Sequence, residues 1–232
     1  MIPFRDNIPS RSFPLINIAL ILANVIVFFY ELSEGRHLNR FIMQHGVIPA
    51  AVFAWPETHL PIGAVALPFF TSMFLHAGWL HLIGNMWYLW IFGDNVEDRL
   101  GHFNYLIFYM LCGFGAGIVH TIFNYAVKVP SIGASGAIAG VLGAYLVSYP
   151  FARVLTLVPL FFFFVIEIPA IIVLGFWFVM QFLYGATALA SPVANTGGVA
   201  WWAHVGGFIV GMFLVGLFPR KDRPRYEYSW RS

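Results

Sequence analysis

The chain has 232 residues, 60% of them hydrophobic and only 9% charged, with a formal net charge of +2. A soluble domain carries about a quarter of its residues charged, so this chain lacks the polar surface to face water all round, and its solvent is lipid. The small net charge leaves no electrostatic footprint for nucleic acid, and the single cysteine, Cys112, excludes an internal disulfide and a cysteine-rich metal site.

Charges are costly in hydrocarbon, so charge-free windows mark candidate spans, each needing about 20 residues. The first window, 12–30, holds one helix. It lacks a small-residue cleavage site and reads as an anchor rather than a removed signal peptide. Residues 31–77 read as one long connection. Window 58–93 opens with Pro61, Gly63, Pro68 and Gly78, which suit irregular structure at the membrane surface. It closes with a helix from about Trp79 to Phe92, short for a full span. The cluster Asp94, Glu97, Asp98 and Arg99 reads as a solvated turn. Windows 100–127 and 129–152 hold one helix each. Window 154–166 is too short to cross alone and is expected to lie at the interface or join the next helix. Window 168–219 is long enough for two spans, divided by the polar, Gly/Pro-rich stretch with Ser191, Pro192, Asn195, Gly197 and Gly198.

The expected fold is therefore an all-α membrane protein. It is one polytopic domain, a six-transmembrane helical bundle with spans at about 14–32, 78–93, 103–126, 133–150, 168–187 and 200–218, followed by a basic tail, 219–232. With both termini cytoplasmic, the inside segments hold Arg5, Arg11, Arg99, Arg153, Arg220, Lys221, Arg223, Arg225 and Arg231. The outside segments hold Arg36, Arg40 and Lys128. This bias satisfies the positive-inside rule and favours an even number of spans. Trp79, Trp201, Trp202 and Tyr149 near span ends suit an interfacial aromatic belt.

Polar residues inside spans are functional candidates by default. They are His81 and Asn85 in span two, Ser135 in span four, Glu167 before span five and His204 in span six. In the six-span arrangement His81, Ser135 and His204 fall at a similar depth, below the outer surface, and His81 and Asn85 share a helix face. Gly136 and Gly140 in span four, and Gly207 and Gly211 in span six, form two small-xxx-small pairs that let helices approach closely in lipid. If those faces meet, Ser135 and His204 come within hydrogen-bond reach, the core of nucleophilic acyl transfer. The backbone N–H of Ser135, the Asn85 side chain and the His81 ring can then supply donors to an oxyanion. His76, His81 and His204 carry imidazoles, yet no carboxylate or thiol stands near them in sequence, so no metal site is expected. Glu167 suits the inner interface.

Three motifs, in order, resemble the rhomboid family of intramembrane serine proteases. They are His81-Leu82-Ile83-Gly84-Asn85 (the family's HxxxN), Gly133-Ala134-Ser135-Gly136 (its GxSG) and Ala203-His204-Val205-Gly206-Gly207. The likeness covers about residues 12–218. It implies a Ser135–His204 dyad without an acidic third member, with His81 and Asn85 assisting the oxyanion. It implies no cofactor, and as partners the lipid bilayer and single-span membrane proteins cut near their outer end. The segment before span two resembles the family's first loop, and span five its mobile lateral gate. The lack of large extra domains suggests the compact prokaryotic form, a multi-pass protein of the plasma or inner membrane. Two positions depart from the pattern. Leu67-Pro68 stands where many relatives carry Trp-Arg, and Ala139 stands where some bacterial relatives carry a tyrosine that stacks on the histidine. His204 must therefore be oriented by another group. Two other classes stay open: a catalytically silent rhomboid-like protein that binds membrane clients, and a small transporter, which would call for repeats or broken helices around a midplane site.

Overall fold

Apolar helices dominate the computed structural model, which describes residues 1–159, 163–189 and 199–219. Among the described residues, three helices are long and apolar enough to cross a membrane: α1 (Leu15–Ser33), α7 (His102–Phe123) and α9 (Ala170–Leu189). Helix α6 (Trp79–Leu100) qualifies together with the short helical stretch Gly63–Phe74, from which it bends by 80°. Two shorter apolar helices, α8 (Ser135–Ser148) and α10 (Trp201–Leu217), complete the bundle. At 1.5 Å per residue, α8 is about 21 Å long, less than the ~30 Å hydrocarbon layer. Its lack of bulk explains its position: every residue from Gly136 to Tyr145 is buried, and its neighbours close around it.

Close approach of α8 and α10 rests on glycine. A Cβ at Gly207 would stand 2.0 Å from the Gly136 carbonyl oxygen, and one at Gly211 would stand 2.0 Å from that of Gly140. Gly136 and Gly140 also face α7. There a Cβ would meet Ala116 at 2.7 Å and Cys112 at 2.4 Å. The small-residue stripe of α8 therefore serves two neighbours, and Cys112 is sealed in the seam, fully buried.

The connection between α1 and α6 is built from short helices: α2 (Leu38–His45), α3 (Pro49–Ala54), α4 (Gly63–Ala66), α5 (Pro68–Thr71) and 3-10 turns that include Gly35–His37 and Ser72–Phe74. A third 3-10 turn, Trp55–Glu57, follows α3. The connection is tied to the segment preceding α8. Val47 and Ser131 exchange backbone hydrogen bonds of 3.0 and 2.7 Å, and the Gly133 N–H donates to the Ser72 carbonyl at 2.8 Å. It is also tied to α1: the buried Glu31 carboxylate accepts the His76 backbone N–H at 3.1 and 3.2 Å.

The chain departs from the expected all-α layout in one place. Window 154–166, expected at the interface or continuing into a helix, forms two strands, β2 (Arg153–Pro159) and β3 (Phe163–Pro169). With β1 (Ile2–Asp6) they make a three-stranded antiparallel sheet in the order β1-β2-β3. The reason is period. Val154, Thr156 and Val158 are buried while the residues between them are more exposed, the two-residue alternation of a strand. Glu167 lies exposed on β3, opposite Leu155.

A second correction concerns Asp94, Glu97, Asp98 and Arg99. They form no solvated turn: α6 runs through them to Leu100, where Gly101 (φ +80°) ends it. Glu97 is fully buried. Its carboxylate accepts the N–H groups of Ile16 (2.9 Å) and Asn17 (2.7 Å) in the first turn of α1, whose N-cap, Pro14, offers no side-chain acceptor. Asp98 accepts from Ser12 Oγ at 2.7 Å. The acids satisfy the open N–H groups and positive end of another helix. Two of the belt aromatics are packed inside the bundle. Trp202 is buried and stacked on Phe123 with ring centroids 3.9 Å apart, and Tyr149 is buried with its hydroxyl donating to the Asn95 carbonyl. The polar divider at 190–198 and the basic tail at 220–232 lie outside the described residues.

Candidate active site

Helices α6, α8 and α10 each contribute a polar side chain from their first turn. Ser135 is the first residue of α8, His204 the fourth of α10 and His81 the third of α6. Gly133, with φ +128°, makes the bend that brings the chain into α8. A Cβ there would also lie 2.7 Å from His81 Nε2, so a side chain is excluded twice over. Because Ser135 opens the helix, its backbone N–H belongs to the first turn and has no partner within the helix.

His204 Nε2 lies 2.8 Å from Ser135 Oγ. The ring is buried, and its other nitrogen, Nδ1, lies 2.7 Å from Oε1 of Gln181 on α9. The Trp177 ring, also on α9, lies 5.7 Å from the imidazole, tilted by 35°, and Trp201 meets it edge-on at 6.2 Å. Residue 139, an alanine, leaves the ring's orientation to these groups from α9 and α10.

His81 and Asn85 line the same cavity as Ser135 and His204, about 1020 Å³ in volume. The Ala77 backbone N–H donates to His81 Nδ1 at 3.3 Å. An acceptor at Nδ1 leaves the hydrogen on Nε2, the nitrogen that faces Gly133 and the start of α8. Asn85 Nδ2 lies 3.0 Å from His76 Nε2, so His76 holds the amide from behind. Glu31 fixes the backbone of His76, and the chain Glu31–His76–Asn85 runs from α1 to the cavity wall. Glu167, on the exposed strand β3, does not line the cavity.

Three residues at this site escaped the sequence reading. Glu31 sits at the edge of a charge-free window and looked like the start of a loop. Trp177 is one of several aromatics in an apolar helix, with nothing in the local sequence to single it out. Gln181 carried a readable signal, an amide in the middle of the otherwise apolar Ala170–Leu189, and such a residue in lipid demands a partner. What the sequence does not say is that the partner is His204, 23 residues later.

A serine hydroxyl beside a buried imidazole, at the end of three helices and open to a large cavity, can do acyl-transfer chemistry. Comparison with known proteins gives the family. A family model described as Rhomboid domain matches residues 65–221, more than half of the chain and all of the cavity's polar residues named above. RHOMBOID-like protein 1 of Arabidopsis thaliana is 34% identical over 168 residues, covering 68% of this chain and 36% of that protein. Presenilin-associated rhomboid-like protein A, mitochondrial, of Danio rerio is 27% identical over 239 residues, covering 91% of this chain and 56% of that protein. Rhomboid protein 1, mitochondrial, of Saccharomyces cerevisiae is 32% identical over 159 residues, covering 65% of this chain and 41% of that protein. The chain thus spans roughly a third to just over half the length of these relatives, and the match of residues 65–221 to the Rhomboid domain shows that it belongs to the rhomboid family.

Proposed function

We propose that the chain is an intramembrane serine endopeptidase that cuts single-span membrane proteins. The observation that carries this reading is the 2.8 Å contact between His204 Nε2 and Ser135 Oγ inside the bundle. A binding protein needs neither group, and a packing serine needs no histidine.

The chemistry follows the serine-hydrolase pattern. Ser135 Oγ attacks the carbonyl carbon of the scissile peptide bond as its proton passes to His204 Nε2. The oxyanion formed takes hydrogen bonds from the Ser135 backbone N–H, His81 Nε2–H and the Asn85 amide. Collapse breaks the C–N bond, His204 returns the proton to the leaving amine, and an acyl-serine remains. Water then attacks the ester, again losing its proton to His204, and the carboxylic product leaves as Ser135 regains its hydrogen. Positioning at the helix ends supplies that water, which a site at the bilayer centre would lack.

In this reading the bundle crosses the membrane six times, with α8 and α10 counted among the spans and both termini cytoplasmic. The cavity opens toward the outer leaflet, α9 is the side at which a substrate helix enters, and the protein resides in the plasma or inner membrane. Incubating the purified chain in detergent with a fluorophosphonate probe and a transmembrane substrate tests the chemistry. The expected result is labelling and cleavage that fall about a thousandfold or more in Ser135→Ala and His204→Ala. Cleavage that survives in Ser135→Ala overturns the proposal, and a wild type that neither labels nor cleaves favours a silent client-binding protein.

A further inference from the structure

Helix α9 holds the His204 imidazole at two points. Trp177 and Gln181 are four residues apart, on one helix face. Trp177 lies over the ring, and Gln181 Oε1 meets the Nδ1 edge at 2.7 Å. Gln181 is buried, in a helix whose other buried residues are Ala170, Val173, Leu174 and Gly185. An amide carbonyl only accepts, so this contact requires the hydrogen on Nδ1. The neutral ring then has its lone pair on Nε2, facing Ser135 Oγ at 2.8 Å, as a base must. Turned the other way, the amide would donate to Nδ1. The hydrogen would then sit on Nε2, and the ring could not accept the serine proton.

We infer that Gln181 is the positioning residue of His204, with Trp177 as its steric partner. This rests on the protease reading for its effect on rate, but the tautomer it assigns does not depend on turnover. Gln181 does for the imidazole what a buried carboxylate does in a Ser-His-Asp triad, fixing tautomer and orientation, without placing a charge in lipid. The lack of a charge has a consequence: the imidazolium formed during attack is held by a dipole alone.

A structural tie between α9 and α10 would produce the same hydrogen bond, so the test must separate the two. Gln181→Met keeps length and volume but removes the acceptor, and Gln181→Glu, when ionised, keeps an acceptor that cannot donate. The full-length chain, labelled with 15N-histidine, is compared in micelles by NMR, with the His204 signals assigned by their loss in His204→Phe. The expected result is an Nδ1–H tautomer in the wild type, its loss in Gln181→Met and its retention in Gln181→Glu. On a transmembrane substrate Gln181→Met should lower kcat about 10- to 100-fold with KM within about twofold, and Gln181→Glu should recover part of the loss. An unchanged tautomer in Gln181→Met overturns the inference, whatever happens to the rate. So does a changed tautomer with unchanged kcat. Failure of the protease reading looks different: the wild type then neither labels nor cleaves, while the tautomer comparison still decides the role of Gln181.

Discussion

Two histidines that face the same cavity carry opposite hydrogen assignments, and each is set by a neighbour at Nδ1. His81 accepts there from Ala77, which leaves Nε2–H as a donor; His204 meets an acceptor there, which leaves Nε2 as a base. Under the proposed protease function, His81→Phe should therefore lower kcat about 100-fold with little change in KM, because the donor there acts on charge that develops only in the transition state. An equal loss in KM would show instead that the ring binds substrate. Glu31 belongs to the same scale. Its removal leaves the buried His76 N–H unpaired, at a cost of about 2 kcal/mol. Glu31→Ala should lower the thermal midpoint by roughly 5 °C, and a midpoint within about 1 °C of wild type would sink this account. The serine and histidine were legible as residues because each has few reasons to be where it is. Gln181 and Glu31 were not, because a hydrogen bond between distant residues leaves no local pattern.

Elements were legible in proportion to how far composition determines them. The start of α8 could be read from Gly133 to Gly140, since only small residues let three helices meet, and the glycine steps of α10 match its carbonyls. The sheet was missed because charge-free windows carry no period, and its register became visible only through alternate burial of Val154, Thr156 and Val158. Glycine substitutions test the packing directly. Gly207→Ala puts a Cβ against the Gly136 carbonyl, while at Gly216 nothing lies within 4 Å. The first should lower both thermal midpoint and cleavage, because it pries apart the helices that hold Ser135 and His204. Gly216→Ala should change neither. Thermal midpoints can be read from the exposure of Cys112 to a thiol-reactive fluorophore, since the native thiol is sealed.

At the scale of the molecule, the N-terminal strand is bound to the bundle as well as to the sheet. Trp87 Nε1 donates to the Pro3 carbonyl at 2.6 Å, and Asp6 accepts from Asn95 Nδ2 at 3.0 Å and from the Tyr145 hydroxyl. Burial pushes the Asp6 carboxyl up from 3.8 to about 6, against hydrogen bonds that pull it down. The folded chain thus holds more protons than the unfolded one between those values. This group's contribution favours the fold most below about pH 4, weakens as pH rises to about 6, and is constant above. Asp6→Asn should flatten that part of the stability profile, measured as thermal midpoints from pH 4.5 to 7, and an undiminished slope would assign it to other groups.

The Glu97 carboxylate that receives the first turn of α1 has a consequence for how the chain is made. The two partners are about 80 residues apart, so α1 leaves the ribosome long before the acid that completes it. Until α6 arrives, the amide groups of Ile16 and Asn17 must be satisfied by water or lipid headgroups, which holds that end of α1 at the membrane surface. Docking of α6 then exchanges those provisional partners for one buried carboxylate. The first turn of α1 therefore reaches its final partners only after residue 97 has been made.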